Sequence, residues 1–296
     1  MQAVQIIPAR ELNPVPTMVS AGRFARIVAR AESCIARIGE LIDQGYTCSA
    51  AVSFGKDSSV VLILMLEAIR RRVEAGAYVQ PAFVTHSNTG TENPAMETYA
   101  DAMVAELEMY CARHSLPITV IKVQPSLTSS FAYATIGRGK LPVFAGASRS
   151  CSVDWKLRPQ QKALKQLLAT LQNPGDLVTF VGTRLTESTS RASNMRKRGE
   201  DEAGRLTLNE HCSYNCSVIA DWEMEEVWEL LMACDAKRGG PYRTYVDNFD
   251  WCLELYKEAN EGVCAIITGD GGNKAACGSR FGCAWCTVTG ERDKSM

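Results

Sequence analysis

The feature that most constrains this chain is a seven-residue turn, Ser53-Phe54-Gly55-Lys56-Asp57-Ser58-Ser59. It joins a short apolar run (TCSAAVS, residues 47–53) to VVLILMLEAIRRR. The short run reads as a buried strand and the longer one as a strongly apolar helix. Gly55 lets a ligand approach the backbone, the helix start offers free N–H groups, and Lys56, Ser58 and Ser59 add donors. That is a phosphate-holding turn, though not a Walker A loop, which needs Gly, four residues and then Gly-Lys-Ser/Thr. The competing explanation is an ordinary Ser/Asp-capped helix after a glycine turn.

The alternation continues along the chain. After an irregular N-terminal arm with Pro8, Pro14 and Pro16, residues 17 to 44 carry Phe24, Ile27, Val28, Ile35, Ile38 and Leu41 at helical spacing. Residues 80–86 and 117–123 predict further strands around a helix over 94–115. Residues 124–158 read as loop, 159–171 as helix, 176–182 as a fourth strand, and the stretch to Arg205 as polar helix or loop. This is an α/β pattern: an open, mostly parallel sheet with helices on both faces, binding ligands beyond the carboxyl ends of its strands. Residues 222–235 and 246–260 predict two more helices, and the tail from 262 is rich in Gly and Cys. The expected organisation is an N-terminal arm and helix (1–46), a nucleotide-binding core (47–220) and a helical, cysteine-rich extension of the same domain (221–296).

Lys and Arg number 32 against 33 Asp and Glu, so a uniformly basic nucleic-acid binder is disfavoured, while a local basic patch is not. No apolar stretch approaches a membrane span and the N-terminus lacks a signal pattern, so a cytoplasmic protein is expected. The 12 cysteines are too few for a disulfide scaffold in a chain of 296 residues. With 3 histidines, metal binding would fall to thiolates.

Three more segments follow predicted strands or flank them. The second strand ends in His86-Ser87-Asn88-Thr89-Gly90-Thr91-Glu92, a turn by composition. Arg149-Ser150-Cys151-Ser152-Val153-Asp154-Trp155-Lys156-Leu157-Arg158-Pro159 leads into a helix, and Gly182-Thr183-Arg184-Leu185-Thr186-Glu187-Ser188, with Arg191, follows the fourth strand. Residues 138–162 hold six basic side chains (Arg138, Lys140, Arg149, Lys156, Arg158, Lys162) against Asp154, and residues 184–198 hold five (Arg184, Arg191, Arg196, Lys197, Arg198) against Glu187. In the tail, Cys277, Cys283 and Cys286 offer three thiolates in a glycine-containing loop, and Cys151 offers a fourth. Four cysteines suit zinc or an iron–sulfur cluster, and spacing does not choose between them. Cys212 and Cys216, beside His211, are either a metal or persulfide pair at helical spacing or two buried small residues. Cys34, Cys48, Cys111, Cys234, Cys252 and Cys264 lie in apolar segments and read as core.

The S-x-G-K-D-S pattern resembles the PP-loop of ATP pyrophosphatases. The S-N-T-G turn is similar to the D-T-G of sulfonucleotide reductases, with Asn88 for the Asp. R-S-C-x4-K-x-R-P resembles their cysteine segment, with Cys151 where they have a pair, and G-T-R-x-x-E-S-x-x-R resembles their phosphate- or sulfate-facing turn. Together with R-F-G-C-x-W-C-T-V and D-K-S-M, the ensemble resembles the DndC/SspD-type proteins of bacterial DNA phosphorothioation, on an adenine nucleotide alpha hydrolase-like, PAPS reductase-like fold. Dnd-type members extend beyond D-K-S-M, so a short Ssp-type or truncated chain is expected.

The resemblance implies an ATP pyrophosphatase and sulfurtransferase that adenylates a DNA backbone phosphate, for restriction–modification. It implies ATP and Mg2+ held around Ser53, Phe54, Gly55, Lys56, Asp57, Ser58, Ser59, Asn88, Thr89, Gly90 and Gly182. Lys56, Asp57, Ser58, Lys156, Arg184 and Arg191 would be catalytic, and Cys151, Cys277, Cys283 and Cys286 would hold a [4Fe–4S] cluster. Partners would be DNA, a cysteine desulfurase and other phosphorothioation subunits. The alternatives are a sulfonucleotide reductase, whose E-C-G-x-H tail this chain lacks, a tRNA thiolation enzyme, and a non-catalytic nucleotide-binding assembly subunit. Intact Lys56, Asp57 and Ser58 argue against the last.

Overall fold

A computed structural model describes residues 21–140, 151, 153–171, 176–187, 189–209 and 213–258. Strands β1 (Thr47–Val52), β2 (Ala82–Ser87), β3 (Ile118–Val123), β4 (Leu177–Phe180), β5 (Leu206–Leu208) and β6 (Tyr214–Cys216) form one sheet in the order β3-β2-β1-β4-β6-β5. Every pairing is parallel except β5 with β6. The chain runs from β1 outward through β2 to β3 and then returns to the other side of β1 as β4. That reversal opens a crevice at the carboxyl ends of β1 and β4, the place where open α/β sheets take ligands.

The sheet separates two apolar layers. Ala82 and Val84 of β2 join the main core, whereas Phe83 points to a smaller cluster with Leu164 and Leu177. The alternation is the two-residue period of a strand. Helix α1 (Ala21–Asp43) buries Ile27, Ala31, Cys34, Ile35, Ile38, Leu41 and Ile42 along one face. Helix α2 (Lys56–Glu74) is buried almost all round from Ser59 to Ile69, as its continuous apolar run requires. Helix α3 (Pro94–Arg113) adds Tyr99, Met103 and Leu107 to the same core. Helix α4 (Arg158–Leu168) covers the opposite face through Leu164. Helices α5 (Thr189–Arg198), α6 (Met224–Ala233) and α7 (Asp250–Glu258) complete the described elements, α6 and α7 supplying Trp228, Leu231 and Leu253 to the main core.

The fold class expected from the sequence holds, with one addition. The β5–β6 hairpin falls in a stretch given no element from the sequence, because its strands are only three residues each (LTL, YNC). It also corrects the helical reading of the Cys212–Cys216 pair. Cys216 is a strand residue, 1% exposed, and burial pushes its thiol up to about 12. Cys212 lies outside the described residues, as do His211 and Cys264. Cys34, Cys48, Cys234 and Cys252 are buried with thiols pushed up to about 12, and Cys111 to about 11, which marks them as inert core residues. Among the described residues no helix is long and apolar enough to cross a membrane.

Candidate nucleotide site

The turn between β1 and α2 begins with a strained residue. Phe54 has φ +57 and is fully buried, its ring against His86 (centroids 5.3 Å) and Tyr245 (6.2 Å). A non-glycine residue in the left-handed region costs about 1–3 kcal/mol and persists only where its surroundings enforce it. Here the buried ring enforces it. Phe54 therefore shapes the turn through its backbone.

Gly55 is the N-cap of α2 and no side chain caps the helix. The first backbone bond of the helix runs from the Ser59 N–H to the Gly55 carbonyl at 2.9 Å. The start of this 19-residue helix thus keeps its positive end and open N–H groups for an anion. Ser58 Oγ donates to the Gly55 carbonyl at 3.0 Å and lies 3.3 Å from Ser53 Oγ, drawing the turn closed. Ser59 Oγ donates to the Phe54 carbonyl at 3.2 Å and is fully buried, so it braces the turn from behind.

A cleft of about 550 Å³ opens over this turn. Ser53, Gly55, Lys56, Asp57, Ser58, Asn88, Lys156, Gly182 and Arg191, all named from the sequence, line it. His86, Glu92, Glu97, Glu187 and Tyr256 also line it but were not among the expected ligand or catalytic residues. Tyr256 comes from α7, where no local motif marks it; Lys56 Nζ sits 5.2 Å from the centre of its ring. Lys56 Nζ also pairs with Asp57 at 2.9 Å, and Lys156 pairs with Glu92 at 3.1 Å. Arg191 pairs with Glu187 one helical turn away. His86 Nδ1 is 3.1 Å from the Val52 carbonyl, which can only accept, so Nδ1 carries the proton. Burial holds this imidazole below its ordinary range, leaving a neutral ring with Nε2 as acceptor.

Other expected site residues sit behind the cleft. Arg184 is fully buried and does not line it. Its Nε donates to Asp57 at 2.6 Å, and its Nη1 donates to Thr186 Oγ1 at 2.8 Å and to the Trp222 carbonyl at 3.2 Å. Arg184 thus ties the first turn of α2 to the segment before α6. Gly182 is a close-approach glycine: a Cβ there would stand 2.9 Å from Asp57 C and Ser58 N. In the β2 turn, the Gly90 N–H donates to Asn88 Oδ1 at 2.8 Å and Gly90 takes φ +71. Asn88 Nδ2 donates to Glu97 at 2.7 Å, and Thr89 hydrogen-bonds Thr91 and Glu92. The amide at 88 has a physical reason: a carboxylate there would face that of Glu97.

Two buried polar atoms, Thr183 Oγ1 on the cleft lining and Arg184 Nη2 behind it, have no hydrogen-bond partner among the described residues. Such orphans mark a place where a ligand or water completes the set. The carboxylates of Asp57, Glu92, Glu97 and Glu187 give oxygen donors of the kind a magnesium ion accepts. Of the four expected thiolate ligands, half-buried Cys151 alone is described, while Cys277, Cys283 and Cys286 lie outside the described residues. Among the described residues no group of three or more His, Cys, Asp or Glu is placed to hold a metal.

A strained strand-to-helix turn at the switch point of an open sheet, with an uncapped helix end and cationic walls, defines a nucleotide-handling α/β domain. The chain belongs to the phosphoadenosine phosphosulfate reductase domain family, which it matches over residues 47–243. Among solved structures it is similar to FMN adenylyltransferase from Candida glabrata, at 13% identity and TM-score 0.41 over 71% of this chain and 58% of that one. The same enzyme in complex with FMN and the ATP analogue AMPCPP aligns at 14% identity and TM-score 0.38, over 70% of this chain and 57% of that one. Yeast FAD synthetase in complex with FAD aligns at 12% and 0.36, over 71% and 61%. The chain thus spans less than two thirds of the length of these structures. No curated protein matches it.

Proposed function

We propose that this protein is an ATP pyrophosphatase of DNA phosphorothioation, adenylating a backbone phosphate oxygen so that sulfur can replace it. The observation that carries the ATP half is the uncapped start of α2 beneath the cleft, with Lys56 and Ser58 at its mouth. A phosphodiester oxygen is a very poor leaving group. Its attack on the α-phosphorus of ATP forms a new P–O bond, breaks the α–β bridge and releases pyrophosphate. A sulfur nucleophile then displaces AMP, which carries the oxygen away.

In this reading the open N–H groups of α2 and Lys56 take up the charge of the departing pyrophosphate. Lys156 and Arg191, on the facing walls, neutralise the crowded phosphorus centre. Arg184 and Gly182 hold the first turn of α2 in place, and the neutral His86 Nε2 accepts a hydrogen bond from the bound nucleotide. A magnesium ion brought in with the polyphosphate would screen its charge and could take an oxygen from a cleft carboxylate such as Asp57. A cluster on Cys151, Cys277, Cys283 and Cys286 belongs to the same reading. A cysteine desulfurase would supply the sulfur as a persulfide, which a second thiol reduces to sulfide as the two cysteine sulfurs form a disulfide, and partner subunits would present the DNA.

The test is pyrophosphate and AMP release from ATP in the presence of DNA, with iron and acid-labile sulfide measured on the same anaerobic sample. Lys56→Ala should abolish release while the melting temperature stays near wild type. Full activity in that variant would remove the turn from the mechanism.

A further inference from the structure

A second concavity lies on the far side of the cleft wall. The π-helical turn Val153–Leu157 and the start of α4 form a ridge. Lys156, Leu157 and Gln160 face the nucleotide cleft, while Asp154, Trp155, Arg158 and Pro159 face a groove of about 640 Å³ along edge strand β3. The groove gathers Lys122, Arg138, Lys140, Arg158 and Lys162 against one carboxylate of its own, Asp154.

The pairing of these cations is loose. Arg158 is held to Asp154 at 2.6 Å, but Lys140 reaches it only at 3.8 Å, and Lys122 leans out to Asp101. Arg138 lies over the Tyr133 ring at 5.5 Å, and Lys162 makes no ion pair among the described residues. Half-buried Trp155, braced edge-on by Phe131 at 5.5 Å, puts an aromatic surface among them. A basic, concave track with an aromatic platform is the combination that holds single-stranded nucleic acid, the backbone following the cations and a base stacking on the ring.

We infer that this groove binds the sugar-phosphate backbone of a single strand flanking the phosphate presented to the cleft. The ridge shared by the two concavities is the juxtaposition that carries this. A polymer crossing it places one phosphate beside Lys156 and its neighbours beside Arg158 and Lys162. The inference rests on the proposed function only in making this strand the reacting substrate; strand binding itself is independent of ATP chemistry.

The experiment is fluorescence anisotropy of the full chain with a labelled twelve-nucleotide oligothymidylate, between 50 and 200 mM salt, with a duplex of the same length and inorganic tripolyphosphate as competitors. Each phosphate neutralised on a single strand contributes a slope of about −0.7 in log K against log salt. Arg158→Ala/Lys162→Ala should therefore flatten the slope by about 1.4 and weaken binding by roughly tenfold or more. Trp155→Ala should weaken it by roughly tenfold. Asp154→Asn, which releases Arg158 and Lys140, should tighten it. ATP affinity should be unchanged in all three variants.

An unchanged slope and affinity in the double variant would overturn the inference. So would duplex binding as tight as the strand's, displacement by tripolyphosphate at equal phosphate concentration, or no strand binding by wild type. Strand binding weakened in the double variant and in Trp155→Ala, in a protein that releases no pyrophosphate on that strand, would keep the groove and remove the adenylation reading instead.

Discussion

Replacing Gly182 by alanine tests how the cleft is built. Gly182 does not occupy the left-handed region, so alanine meets no conformational penalty there. The obstacle is contact. A Cβ would stand 2.9 Å from Asp57 C and Ser58 N and 3.0 Å from Asp57 O, where ordinary van der Waals contact begins at 3.4 Å. The colliding atoms are backbone in the first turn of α2 and cannot rotate away, so β4 and α2 must separate by about 0.5 Å or more, an overpacking that costs roughly 1–3 kcal/mol. For a domain of this size that lowers the melting temperature by about 2–12 °C. Activity should fall further than stability, because a misplacement of about 1 Å at reacting groups can cost about a hundredfold. Thermal melting and pyrophosphate release measured on the same preparation read both effects. The comparison for stability is Gly55→Ala, whose Cβ meets side-chain rather than backbone atoms, the Tyr256 hydroxyl at 2.8 Å and Ser53 Oγ at 3.4 Å, and whose melting temperature should fall less. A Gly182→Ala protein with wild-type melting and ATP affinity would show that β4 and α2 do not meet as described.

Arg184→Gln removes a buried cation that holds Asp57, Thr186 and the Trp222 carbonyl together. Breaking a buried pair costs about 3–5 kcal/mol, so the urea midpoint should drop with activity. Loss of turnover at unchanged stability would make Arg184 a direct participant instead. Asn88→Asp sets a carboxylate against Glu97, which now accepts at 2.7 Å. The pair can keep its hydrogen bond only by sharing a proton, so the folded-state pKa of one carboxyl rises above its unfolded value near 4. The variant should match wild type below that unfolded value and lose stability as pH rises through the raised one. Adding Glu97→Gln should restore neutral-pH stability, because the amide donor and carboxylate acceptor have exchanged places. Melting curves from pH 4 to 8 that show no such loss, or no rescue, would refute the pairing.

Four of the six strands were legible because each is a short apolar run closed by a turn, and central parallel strands are apolar on both faces. The β5–β6 hairpin was not, since Tyr214-Asn-Cys216 has no pattern to distinguish it from loop. The turn at Ser53–Ser59 was legible because its chemistry is local. Glu97 and Tyr256 were not, because they reach the cleft only through the packing of α3 and α7. Arg184 shows the limit most clearly. Its place after β4 predicts an edge position, but spacing does not say whether a side chain at that edge turns into the cleft or back beneath α2. The basic run over residues 138–162 was likewise one patch in sequence and is two surfaces in space, because the Val153–Leu157 turn sends Lys156 one way and Arg158 the other.

That division explains how the cleft handles charge. Its three wall cations are each matched by a carboxylate at the same rim: Lys56 by Asp57, Lys156 by Glu92 and Arg191 by Glu187. A bare polyanion entering there would take the cations and strand the carboxylates beside its own negative charge. In the proposed reading a polyphosphate carrying magnesium would offer both signs, its oxygens to the cations and its metal to a neighbouring carboxylate such as Asp57. Arg184 takes no part in that exchange. Fully buried and pinned to the carboxylate oxygen of Asp57 opposite the one Lys56 uses, it keeps the first turn of α2 fixed while the outer partners change. The groove beyond the ridge has the opposite design, with five cations against Asp154, and so draws a polyanion that brings no metal. Paired cations on one side of a single ridge and excess positive charge on the other is the arrangement that the proposed reading calls for, a metal-bound nucleotide on one side and a bare phosphodiester chain on the other.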